Sequence, residues 1–277
     1  MAKVDRLVWA ATTALRVGDY HIGIRSSSPA LDAWVRTTFA EHVVDDPDVP
    51  PNYSLKISDE PGQAIKDLSL LYRGCRLVSS ARDPVRVVQA LLALLAELED
   101  TQRNPRLPRL EAAAVVDGRD AVIIPAQVRL GTPELDRRLR GRGLELVDAM
   151  TVAFDPSTWE LVVPPCRLVP DEARALAAWS DRDVASGVAT GRYRVLAWAF
   201  SQHPLPSRAA AVADIAARLR NRRLQQGTEW VAALGRSARQ IIHLGATGGR
   251  ADDVADAVSP LFEQERGADR GGRSRAS

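Results

Sequence analysis

Apolar and polar positions alternate along "ALRVGDYHIGIRS", which predicts a strand pair or one bent strand, and again along "YSLKISD", which predicts a strand. Between them Ser28 and Pro29 open a helix with Leu31, Trp34, Val35 and Thr38 on one face. The acidic, proline-bearing stretch "EHVVDDPDVPPN" predicts a loop. "LSLLYRGCRLVSSA" predicts one or two strands turning at Gly74. From Asp83 the spacing changes to helical, with Val85, Val88, Leu91, Leu92, Leu95 and Leu98 on one stripe. "RNPRLPR" then marks a turn or short linker. It divides an N-terminal α/β lobe, 1–104, from a core over 105–265.

The core opens with "EAAAVV" and "DAVIIP", two apolar strands joined by Asp117 and Gly118, a hairpin signal. The second strand leads through "IIPAQVRLGTPELDRRL" into a helix, with Thr132 suited to cap it and Pro133 to its first position. That helix runs to about Gly141. "LELVDAMTVAFD" predicts a strand, and "STWELVVPP" turns back beside it. The remainder predicts a mostly helical region over "DEARALAAWSD", "YRVLAWAFSQ", "SRAAAVADIAARLRNRR", "WVAALGRSARQIIHL" and "ADDVADAVSPLFEQ". Residues 266–277 have the composition of a disordered tail. No internal repeat is present.

Composition narrows the class. The chain has 277 residues, 45% of them hydrophobic, enough for a sizeable core in one large domain or two small ones. Apolar runs such as "VVQALLALLAEL" fall short of the roughly 20 residues of a bilayer span, and the N-terminus lacks a signal layout, so a cytoplasmic protein is expected. Cys75 and Cys166 have no metal-ligand spacing and read as small buried residues. The net charge is +2, but lysine occurs only at Lys3, Lys56 and Lys66. Everything after residue 66 must therefore bind anions without an ammonium group.

The strand, glycine-bearing loop and helix of residues 123–139 have the layout of a phosphate-binding loop. The wider succession "LEAAAVVDGRDAVIIPAQVRLGTPELDRRLRGRGLELVDAMTVAFD" resembles the phosphate-loop core of HPr kinase/phosphatase and of related serine kinases in ribosomal peptide natural-product gene clusters. The resemblance implies an α/β protein with a P-loop-like HPr kinase fold, an N-terminal α/β lobe and a helical C-terminal region. Its departures all fall on function. Glu111 stands where the family often has histidine. Ala126 replaces the first loop glycine. Gly131 survives, but Thr132 takes the place of the phosphate-binding lysine and Pro133 that of the metal-binding hydroxyl. Ala149 and Met150 fall at the acidic pair, with Asp148 one residue away and so on the opposite face of a strand.

A nucleotide loop needs converging N–H groups, a cation over the β and γ oxygens, and a hydroxyl on the metal. Proline supplies neither hydroxyl nor N–H, and Glu134 places a carboxylate where the helix dipole would hold a phosphate. The resemblance thus implies a noncatalytic, pseudokinase-like accessory protein without nucleotide, metal or other cofactor. Its relatives act on carrier proteins or precursor peptides, so the implied partner is a peptide or small protein, together with a biosynthetic enzyme, and neither nucleic acid nor membrane. An exposed sheet edge of the N-terminal lobe would suit strand addition. Two alternatives stay open. One is a kinase rebuilt around Arg129, Arg137 and Arg138 with Asp148 or Glu111 as base; the other is a structural subunit stabilising an active enzyme. Related kinases are often oligomers, and no motif here fixes an interface.

Other clusters read as ordinary structure. His42 with Asp45, Asp46 and Asp48 reads as a solvated loop rather than a metal cluster. Arg218 to Arg223 reads as the exposed face of a helix that buries Val212, Ile215 and Leu219. Trp34, Trp159, Trp179, Trp198 and Trp230 read as core or interface anchors.

Overall fold

The computed structural model describes residues 7–58, 68–125, 132–147, 151–155, 157–164, 167–168, 172–179, 190–200, 207–219, 234, 240–244 and 251–273. It is a mixed α/β structure that divides into two units. The first takes residues 1–105 and 166–187, the second 106–165 and 188–277. The first division between them lies within "RNPRLPR", residues 103–109. The sequence does not predict the return of 166–187 to the first unit.

The first unit is built on a six-stranded sheet in the order β3-β1-β2-β4-β5-β6. Strands β1 (Ala11–Val17) and β2 (Tyr20–Ser26) form a hairpin that turns at Gly18, whose φ of 59° favours glycine. Helix α1 (Pro29–Thr38) follows, and the Ser28 side chain accepts from the N–H of Leu31, as the sequence predicts. The Thr13 hydroxyl on β1 donates to Asp32 of this helix at 2.5 Å. Strand β3 (Val43–Val44) is a two-residue edge. Strand β4 (Pro51–Lys56) lies parallel to β2, and a Cβ on Gly23 would meet the Pro50 carbonyl oxygen at 2.6 Å, so only glycine permits this approach. Strands β5 (Ser69–Arg73) and β6 (Arg76–Ala81) turn at Gly74. Cys75, expected to be buried, is exposed because it lies in that turn.

Helix α2 (Pro84–Arg103) starts at Asp83, whose carboxylate accepts from the N–H of Val85. It buries Val88, Leu91, Leu92 and Leu95 as predicted. Glu99, on its last turns, is 6% exposed and accepts the N–H groups of Arg167 and Leu168 at 2.8 and 3.0 Å. That carboxylate fastens the returning chain just before α4 (Glu172–Ala177). Trp34 donates its indole N–H to the Ala175 carbonyl and meets Trp179 edge-on at 5.7 Å.

The second unit has an eight-stranded sheet ordered β10-β8-β9-β13-β12-β11-β7, with β14 also on β13. Strand β7 (Arg109–Leu110) precedes the hairpin of β8 (Ala112–Asp117) and β9 (Asp120–Pro125), which turns at Gly118 as predicted. Helix α3 (Thr132–Arg140) follows β9. The expected single strand over "LELVDAMTVAFD" is corrected to two: β10 (Glu145–Val147) pairs β8, whereas β11 (Val152–Phe154) pairs β7 and β12 (Leu161–Val163). Trp159, in the β11–β12 turn, has a φ of 58°, a conformation costly for a large side chain. Burial against Phe154 at 5.4 Å offsets that cost.

The C-terminal region is less helical than expected. "YRVLAWAFSQ" contains most of β13 (Gly191–Phe200), the central strand, and "IIHL" lies mostly in β14 (Gln240–His243), parallel to it. Helix α5 (Arg208–Arg218) packs on one face of the sheet through Ala211 and Ile215, with Leu219 just beyond its end in the same cluster. Helix α3 and the long α6 (Ala251–Arg273) cover the other through Leu135, Leu139, Val254, Val258 and Phe262. Continuation of α6 to Arg273 corrects the tail expected from 266. Arg266 on it pairs with Asp117 at 2.6 Å. None of its helices is long and apolar enough to cross a membrane, among the described residues.

Candidate functional site

Strands β9, β13 and β14 run parallel, so their C-terminal ends, at Pro125, Phe200 and His243, lie on one side of the second unit. Open sheets bind ligands at such ends. Glu111 is exposed immediately before β8, at the end of the hairpin where β9 runs out. Ala126, Gly131, Asp148, Ala149 and Met150 lie outside the described residues, as does Arg129. Thr132 and Pro133 are the first two residues of α3, which places the helix start within one residue of expectation.

Charge at this helix start is internally balanced. Glu134, in the first turn, accepts from Arg138 at 2.9 Å and also pairs with Arg137. The Arg138 hydrogen bond above all holds the Glu134 carboxyl below its ordinary value, and Glu134 in turn raises Arg138. Arg138 further reaches Asp252 of α6 at 3.0 Å. Arg140 pairs with Asp136 at 2.9 Å, and Arg142 binds Asp256 and the Ser259 hydroxyl. Arg137 and Arg140 pair within α3, and Arg138 and Arg142 reach α6. A phosphate arriving here would meet a carboxylate already on the dipole and two guanidinium groups already engaged.

The first unit offers a different surface. Strand β6 ends its sheet, and among the described residues no strand pairs beyond it. Its register on β5 runs Ser69↔Ala81, Leu70↔Ser80, Leu71↔Ser79, Tyr72↔Leu77 and Arg73↔Arg76, so Val78 is the extra residue of a bulge. Leu77 is 47% exposed and Leu68, just before β5, 37%. Arg73 and Arg76 are exposed and directly opposed, an unfavourable like-charge pair. Arg82 and Arg86 follow, both exposed, where β6 passes into α2. Among the described residues no acid pairs with any of these four. The opposite edge, β3, has only two residues, too few for a ladder.

These arginines were not singled out in the sequence, although "RGCRLVSSARDPVR" contains four arginines and one acid. Asp83, that acid, is occupied as the α2 cap. His42 does not join the acidic loop either: it is His21 whose Nδ1 lies 2.7 Å from Asp46. Among the described residues no three His, Cys, Asp or Glu side chains gather as a metal site. Arg220, Arg222, Arg223 and Trp230 lie outside the described residues.

In comparisons with protein-family models, curated proteins and solved structures, nothing matches this chain.

Proposed function

We propose that this chain is a noncatalytic, pseudokinase-like accessory protein with an HPr kinase-like core, and that it binds a peptide or small protein for an enzyme of ribosomal peptide natural-product biosynthesis. The observation that carries the noncatalytic reading is the engagement of Arg137 and Arg138 by Glu134, with Arg138 also on Asp252. Two of the three arginines that a rebuilt kinase would turn on a phosphate are neutralised by their own helix and its neighbour. Phosphoryl transfer rests on unspent cations and a metal aimed at the transferring group. Strand addition at β6 is the binding mode, since an extended segment there would satisfy a backbone edge on which no described strand pairs.

Calorimetric titration with ATP and Mg²⁺ tests the first half. No saturable heat is expected, and no transfer to a serine peptide. Saturable nucleotide binding that survives Glu134→Gln would overturn the noncatalytic reading and make the rebuilt kinase the better one.

A further inference from the structure

The partner of the β6 edge has a definable chemistry. Resting on the strand-addition reading above, we infer that β6 receives an extended acidic segment. Its carboxylates, about six residues apart, meet Arg73 and Arg76 at one end and Arg82 and Arg86 at the other, while an apolar side chain between them covers Leu77.

Three observations converge. The cations are concentrated: two exposed arginines stand at each end of a six-residue strand. Among the described residues they are uncompensated, whereas described acids engage Arg36, Arg103, Arg137, Arg138, Arg140, Arg142, Arg192, Arg194 and Arg266. They are also mutually repulsive, since the register sets Arg73 against Arg76. An opposed like-charge pair costs stability, and an incoming carboxylate bridging both guanidinium groups would remove that cost. Guarding an edge against aggregation needs one charge or a bulge, and the Val78 bulge already supplies that. Between Arg76 and Arg82 a strand advances about 20 Å, which sets the spacing of the two acids on the partner.

The probe is a fluorescein-labelled seven-residue Thr/Val peptide with glutamate at both ends, read by fluorescence anisotropy on the full chain. Saturable binding is expected, weakened about tenfold by Arg73→Gln/Arg76→Gln and similarly by Arg82→Gln/Arg86→Gln, and lost at high salt. Moving both glutamates to one end should weaken it, and lysine at both ends should abolish it. Equal binding of the glutamate and lysine peptides would overturn the acidic partner while leaving strand addition standing. Undiminished binding of a glutamate peptide N-methylated on alternate amides would overturn strand addition, because that peptide keeps its charge and cannot form the ladder. No binding of any of these peptides would overturn both.

Discussion

In the second unit Arg137, Arg138, Arg140, Arg142, Arg192, Arg194 and Arg266 each reach a carboxylate, whereas Arg73, Arg76, Arg82 and Arg86 at one edge of the first reach none among the described residues. The same side chain is used in two ways. In the second unit it ties α3 to α6, Arg194 to Asp120 and Glu265, and Arg192 to the β11–β12 turn. At the first unit's edge it has no carboxylate among the described residues, and Arg73 stands opposite Arg76. A protein rich in arginine therefore cannot be read for anion binding by counting cations; what matters is which of them its own acids have already taken.

Truncation of Phe154 should break the two-unit comparison most sharply. Phe154 is fully buried, with Trp159 at 5.4 Å and Trp198 stacked on it at 5.5 Å. Phe154→Ala should cost about 3–5 kcal/mol in urea denaturation. Amide exchange should accelerate in β9 and β13 but not in β1, β2 and β4; equal acceleration in both units would argue against the division. Next comes Glu99→Ala, which strips the acceptor from two backbone N–H groups and should cost the first unit about 2–3 kcal/mol. Faster exchange at Arg167 and Leu168 is its signature.

A pH titration sharpens the second unit's side of the comparison. Asp155 accepts from the Ser157 hydroxyl at 2.5 Å and its N–H at 2.9 Å, and it pairs with Arg192. The Ser157 side-chain bond leads the causes that hold its carboxyl at about 2, below the ordinary 3.8. A depressed folded value means that the stabilisation is complete above about pH 4 and is lost as pH falls through about 2. Because Arg192 is open to solvent, the contribution should be about 1 kcal/mol or less, and Asp155→Asn should flatten the acid limb of the stability curve. The smallest effect carries the opposite sign. Arg76→Ser should stabilise the first unit by a few tenths of a kcal/mol, while Arg142→Ser, which breaks a made pair, should destabilise the second by about 0.5 kcal/mol. Loss of stability in both variants would refute the view that Arg73 and Arg76 repel.

Most of the first unit was legible because its strands set their large apolar residues at alternate positions, Leu15 and Val17, Ile22 and Ile24, Tyr53 and Leu55, and its helices start on visible caps. Alternation along β1 and β2, the Ser28 and Asp83 caps and the glycine turns all carry local signals. Strand β13 misled for a physical reason. Its second half, Ala197 to Phe200, is buried on both faces, so apolar residues run there without alternation. Its bulge between Val195 and Ala197 also shifts the face that holds Tyr193 and Val195 to Trp198 and Phe200. The resulting step of three from Val195 to Trp198 imitates a helix. The balance at Glu134 was half visible: its place on the helix dipole follows from sequence, but its link through Arg138 to Asp252 joins residues more than a hundred positions apart. The β6 arginines were readable only as composition, since their isolation depends on where every acid goes.

The hold of Glu99 on Arg167 and Leu168 also sets an order on biosynthesis. The strands and long helix of the first unit are translated before residue 105, yet the segment that finishes that unit follows only after 106–165. At about 5–20 residues per second, that interval lasts several seconds. Throughout it the nascent chain carries a glutamate whose two backbone donors have not yet been translated, so the first unit stays unfinished until 60 residues of the second have been made.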